Sequence, residues 1–128
     1  MNDATPRWFV FTRAQTQFAL SAHAVRCVLP SIRSTPYPTP LPLMLSLFAY
    51  DGRIVSLVDP QSDSSESITD VHVCHAVLVH SELGDVAFAL DHTEGFANTL
   101  TTEQRLEPEA ILRMLRWSIR RGERISAP

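Results

Sequence analysis

An all-β fold of short strands is predicted for this chain of 128 residues, and three observations predict it. The first is the stretch Pro42 to Pro60, where two apolar runs of equal length flank Asp51-Gly52. An Asp-Gly link between such runs signals a tight hairpin, because a type I′ turn needs positive φ at both central positions. The second is that both faces of this hairpin are apolar. The register pairs Tyr50 with Arg53, Phe48 with Val55 and Ser46 with Leu57, and sets Ala49, Leu47 and Leu45 against Ile54, Ser56 and Val58. A hairpin covered on both sides belongs inside a barrel or between packed layers. The third is that the rest of the chain consists of short apolar segments between turn signals, at spacings typical of small barrels.

Taken in order, the strands are expected near Trp8–Thr12, Gln17–Ser21, Val25–Leu29, Met44–Tyr50, Arg53–Val58, Val71–Val79, Val86–Leu90 and Gly95–Leu100. Each is rich in β-branched, aromatic or aliphatic residues. Between the third and fourth, prolines at 36, 38, 40 and 42 remove ladder donors, which predicts an extended connection outside the sheet. Such a segment can serve as a proline-rich ligand; a wall packed on the barrel is the simpler expectation. Gln61 to Asp70 is a Ser/Asp/Glu loop, expected to be an exposed joint between two halves, and Glu82-Leu83-Gly84 is a second hairpin turn. The C-terminal stretch admits two readings. Thr101 and Gln104 fit a helix cap, and Glu109 to Met114 are good helix formers after Pro108. Leu115 to Ile119 and Ile125 to Ala127, flanking Arg120-Arg121-Gly122-Glu123, equally fit a hairpin.

Composition narrows the function. At 45% hydrophobic and 20% charged residues the chain reads as an ordinary globular protein with enough length for a core. The N-terminal residues have no basic flank and no long apolar run, so no secretory signal is expected; no run of eighteen apolar residues marks a bilayer span. Cys27 and Cys74 are too few for a disulfide framework, and a reducing cytoplasmic location follows as the expectation. Lysine is absent, which removes Schiff-base and P-loop lysine chemistry, and the four glycines are isolated from one another. No nucleotide or other cofactor is expected.

The central hairpin resembles the motif of the CheW family of bacterial chemotaxis adaptors, worded Gly-Val-x-Asn-x-Arg-Gly, three residues, then Pro-Val-x-Asp-Leu. The matching positions read Ser46-Leu47-Phe48-Ala49-Tyr50-Asp51-Gly52 and Ser56-Leu57-Val58-Asp59-Pro60. Upstream, Trp8 to Thr12, Phe18 to Leu20 and Val25 to Leu29 are similar to the family's first strands; downstream, Ala76 to Val79, Val86 to Asp91 and Gly95-Phe96 are similar to its second half. The resemblance implies two small SH3-like β-barrels, one mainly from about 8–60 and one mainly from about 71–128. It favours the C-terminal hairpin over the helix. It also implies that the last strand is cut short, leaving a second barrel that is incomplete or completed by another chain, a route to self-association.

The resemblance further implies a non-enzymatic adaptor that couples chemoreceptor tips to the regulatory domain of a CheA-type histidine kinase. Carried over by position, the partner-binding patch is Val25, Cys27, Leu29, Ala49, Asp51 and Gly52. Departures are concentrated there. The family's arginine is Asp51, its asparagine Ala49, its glutamate Cys27 and its early glycine Ser46. Exchanging Arg for Asp replaces a five-donor fork by an acceptor and reverses the charge. Asp51 then either meets a basic partner or serves the turn alone.

Other chemistries have weaker support. The stretch up to Pro108 carries twelve acidic residues and six arginines, a charge of −6, while Glu109 onward carries five arginines and two glutamates, +3. Those arginines, Arg113, Arg116, Arg120, Arg121 and Arg124, offer the alternative of a small barrel that binds nucleic acid or another polyanion; a solvated face balancing an acidic body explains them as well, and no nucleic-acid partner is expected. His72, Cys74 and His80 fall on one side of a strand and His75 on the other, a looser spacing than zinc sites use, so no metal is expected. Asp91-His92 diverge as strand neighbours, and the serines of 62–67 lack a nucleophile elbow. A thiol enzyme built on Cys27 or Cys74 would need a histidine brought in by the fold.

Overall fold

A computed structural model describes residues 7–36, 44–60 and 72–115. Nine strands are defined among them: β1 (Trp8–Arg13), β2 (Thr16–Ser21), β3 (Val25–Pro36), β4 (Met44–Tyr50), β5 (Arg53–Val58), β6 (His72–Ser81), β7 (Gly84–Leu90), β8 (His92–Ala97) and β9 (Gln104–Arg105). A 3-10 turn, Ala22–Ala24, joins β2 to β3, and a helix α1 occupies 108–115. The predicted all-β class is borne out. Among the described residues no helix is long and apolar enough to cross a membrane.

The strands form two sheets. β3-β4-β5-β7-β6 closes into a barrel, and β8-β1-β2-β9 forms a four-stranded sheet. Each sheet takes strands from both sides of residues 61–71, so a division at that loop does not separate them. The reason is pairing: β5 runs parallel to β7, with Ser56 beside Val86 and Val58 beside Phe88, while β1 pairs antiparallel with both β2 and β8.

This arrangement explains why the strands are apolar on both faces. Phe48, Val55, Leu57, Ala76, Leu78, Ala87 and Ala89 fill the barrel interior, with Cys27, Leu29, Ile32 and Tyr50 packed against them. The alternate residues Val58, Val77, Val79, Val86, Phe88 and Leu90 form the barrel's outer wall. That wall is covered by Phe9, Phe11, Phe18 and Leu20 of the four-stranded sheet and by Leu112 and Leu115 of α1. Side chains alternate across a strand, so one apolar run on β6 or β7 supplies both cores.

The Asp51-Gly52 hairpin forms as predicted, with φ of 51° and 77° at the turn. Tyr50–Arg53, Ala49–Ile54, Phe48–Val55, Leu47–Ser56 and Ser46–Leu57 pair as expected, but Val58 meets Met44 rather than Leu45 across a bulge. β3 is longer than predicted. It continues through Pro30 because bulges lie between Val25 and Cys27 and between Leu29 and Ile32. The second bulge places Pro30 and Ser31 outside the ladder, where a missing N–H costs no pairing; Ser31 takes φ 55° there. β3 then reaches Pro36, whose Cα partner is Ser46, so the first of the four alternating prolines lies in the sheet rather than in the expected connection. The other three, and the polar loop 61–70, lie outside the described residues.

The strand expected at Gly95–Leu100 is found at His92–Ala97. The reading of helix formers after Pro108 is met by α1, and the alternative hairpin over Leu115 to Ala127 lies outside the described residues except at its first residue, which ends α1.

Candidate functional site

One end of the barrel collects most of the residues that the resemblance singled out, Leu29 lying deeper along β3 opposite Ala76. The β4–β5 turn lies where β5 begins, and the β6–β7 turn lies where its parallel neighbour β7 begins. β3 begins there as well, since Val25 pairs with Val79 near the end of β6. The rim therefore brings together three segments far apart in sequence: residues 25–27, 50–53 and 80–85.

Three polar contacts knit it. Cys27 Sγ lies 3.7 Å from Tyr50 Oη, joining β3 to the hairpin. That hydrogen bond, then the charge of an ionised Cys27, push the Tyr50 hydroxyl above its ordinary pKa; burial and Asp51 add to the rise and Arg26 opposes it. On the other side of the hairpin, Asp85 sits 2.7 Å from His80 Nδ1 and 3.5 Å from an Arg53 terminal nitrogen. The Arg53 guanidinium is thus directed toward β7. Asp51 makes no ion pair with a described residue.

The six positions split by environment. Ala49, Asp51 and Gly52 are exposed, whereas Val25, Cys27 and Leu29 are half-buried. Val25 packs against the core between the sheets; Cys27 and Leu29 pack against the barrel interior. The bulge at Arg26 turns Cys27 inward, opposite Leu78. In the first part of β3, near the rim, the side chains offered to solvent are Arg26 and Val28, the latter 40% exposed. Sequence reasoning missed both. It also passed over Ile54, which is 70% exposed beside Ala49 on the outer wall, although the predicted register already paired them.

The motif aspartate has a different place. Asp59 follows β5 at the opposite end of the barrel. It accepts two hydrogen bonds from the Arg13 guanidinium, Nε at 3.1 Å and a terminal nitrogen at 3.0 Å. The other terminal nitrogen donates to Asp91 at 3.2 Å, and Asp91 also accepts the Ala14 N–H at 2.8 Å. This latch ties the β1–β2 turn to the ends of β5 and β7. The hydrogen bond to Asp59 raises the Arg13 pKa further, against the lowering effect of burial.

The other sequence candidates are dispersed. Among the described residues no group of three or more His, Cys, Asp or Glu is placed to hold a metal. His80 is engaged by Asp85, His75 Nδ1 accepts the Ser31 N–H at 3.3 Å, and His92 pairs with Glu94 at 2.8 Å. The side chains of His72 and Cys74 lie outside the described residues. Asp91 serves the latch while His92 turns to Glu94, so the two do not act together. Cys27 has Tyr50 at its sulfur and no histidine hydrogen-bonded to it among the described residues. Of the tail arginines, Arg113 stands 3.9 Å from Glu109 one helical turn away; Arg116, Arg120, Arg121 and Arg124 lie outside the described residues.

No family model and no curated protein matches the chain. Its structure is similar to that of the scaffolding protein TtCheW from Thermoanaerobacter tengcongensis, at 14% sequence identity and a TM-score of 0.56, over 78% of this chain and 67% of that one. The fold of this chain is thus the strand-rich architecture seen in a CheW scaffold.

Proposed function

We propose that this protein is a non-enzymatic adaptor of a bacterial chemosensory system, holding a CheA-type kinase regulatory domain on one face and a chemoreceptor tip on another. The observation that carries this reading is the structural likeness to a scaffolding protein, which agrees with a motif resemblance running in order through most of the sequence. The barrel rim supports it. Cys27, Tyr50, Arg53, His80 and Asp85 are engaged in holding its strands together, and its exposed face adds the aliphatic pair Ala49–Ile54 and the charge of Asp51, the composition of a docking surface.

In this reading Ala49, Asp51 and Gly52 meet the partner, while Val25, Cys27 and Leu29 fix the strand that frames them. Coupling is mechanical: a partner seated on a rim built from three segments feels any shift between them, and the shared core between barrel and sheet transmits it. A purified CheA-type regulatory domain tests this by isothermal titration calorimetry. Saturable binding is expected, with a negative heat-capacity change from apolar burial. Absence of binding at protein concentrations of tens of micromolar removes the adaptor role, since weaker encounters would leave most of the adaptor free.

A further inference from the structure

The β4–β5 hairpin carries a charge with no ion pair among the described residues, beside an exposed apolar pair. Ala49 and Ile54 are Cα partners on the outer wall, both exposed, and Ile54 shows 70% of its surface to solvent. Asp51 follows at the turn, exposed and without an ion pair among the described residues. The nearest arginine in sequence, Arg53, is turned to Asp85 at 3.5 Å. On the far side of the strand Tyr50 points into the barrel, to Cys27.

We infer that this face selects a partner presenting an arginine or lysine next to an aliphatic side chain, the cation meeting Asp51 and the aliphatic group covering Ile54 and Ala49. The inference rests on the adaptor reading and deepens it by naming the chemistry of the docking partner. The physical argument is complementarity. A solvated carboxylate at the edge of an apolar patch favours partners of opposite charge and repels acidic ones. The turn itself does not require the charge. Asn occupies positive φ as readily as Asp and makes an equally good type I′ turn before Gly. Charge and turn can therefore be separated by one substitution.

The experiment measures affinity of the CheA-type regulatory domain for the wild-type protein and for Asp51→Asn, Asp51→Arg and Ile54→Asp, each checked for unchanged thermal unfolding, at about 0.05 and about 0.5 M salt. Asp51→Asn is expected to weaken binding about threefold at low salt and to flatten its salt dependence, as for a rim ion pair. Asp51→Arg is expected to weaken it about tenfold, by turning attraction into repulsion. Ile54→Asp is expected to lose more than tenfold, by burying a charge against an apolar contact. Should Asp51→Arg destabilise the turn, Asp51→Asn alone carries the charge test. Wild-type binding with all Asp51 variants unchanged overturns this inference and leaves the adaptor reading intact; no wild-type binding overturns both.

Discussion

Replacing Arg13 by alanine removes three charge-assisted hydrogen bonds at once, two to Asp59 at 3.1 and 3.0 Å and one to Asp91 at 3.2 Å. In a dry interior each would contribute about 1.5–3 kcal/mol. The Arg13 and Asp59 side chains retain 18% of their exposure and Asp91 retains 45%, so solvent screens the group, Asp91 most of all. Counting the Asp59 pair at about 2 kcal/mol and the Asp91 contact at only a few tenths, the expected loss is about 2 kcal/mol. With an m-value of about 2 kcal/mol per molar urea, the unfolding midpoint should fall by about 1 M. Arg13→Lys keeps the charge but not the fork, and should lose about half as much. Arg53→Ala, which removes one 3.5 Å contact from a largely exposed side chain, should cost under about 0.5 kcal/mol. Urea titrations followed by circular dichroism read all three. A midpoint for Arg13→Ala within about 0.2 M of wild type, or Arg13→Lys equal to wild type, would refute the latch.

Three further outcomes are expected. Phe88→Ala empties a fully buried site between barrel and sheet and should cost about 3–5 kcal/mol, whereas Phe96→Ala, at 58% exposure, should cost about 1 kcal/mol or less; equal shifts in calorimetric melting would contradict the two-layer core. Gly52→Ala meets no atom within 4 Å, so its cost of about 1 kcal/mol should come from φ +77° alone, and a chemical-denaturation cost near zero would show that the turn relaxes. Cys27→Ala should lower the midpoint of Tyr50 ionisation, read by near-ultraviolet absorbance in a Tyr37→Phe background. The folded-state pKa of Tyr50 is raised, so its contribution to stability is complete below the ordinary tyrosine value of about 10 and is lost as pH rises through the raised value; an unchanged midpoint in Cys27→Ala would assign the rise to another cause.

The sequence was most legible where local chemistry and tertiary placement agree. Asp51-Gly52 set both the turn and five of the six cross-strand pairs of its hairpin, because the dipeptide favours a two-residue turn and the register follows from it. The β1–β2 turn was opaque for the opposite reason. Ala14 and Gln15 take φ of 51° and 68° with no glycine or asparagine, and Asp91, from a distant loop, accepts the Ala14 N–H that closes the turn. Tertiary contact overrides propensity there. Continuation of β3 through Pro30 was equally hidden, since proline forbids a ladder position but not a bulge.

At the site, the hairpin face was legible and the β3 face was not. Strict alternation puts Val25, Cys27 and Leu29 on one side together, but the bulge at Arg26 moves Val25 to the inter-sheet core and Cys27 and Leu29 to the barrel interior. An inserted residue leaves no mark in an apolar run. Asp59 was read as part of a motif, and its bond to Arg13 depends on a chain crossing of forty-six positions that no local pattern encodes.

The adaptor reading makes the barrel rim a docking surface. Amide chemical-shift mapping of the isotopically labelled protein against a CheA-type regulatory domain tests it most directly. Perturbations are expected to concentrate at Arg26, Ala49, Asp51, Gly52 and Ile54. Perturbations confined to the outer surface of β1, β2 and β8, or none at saturating partner, would contradict it.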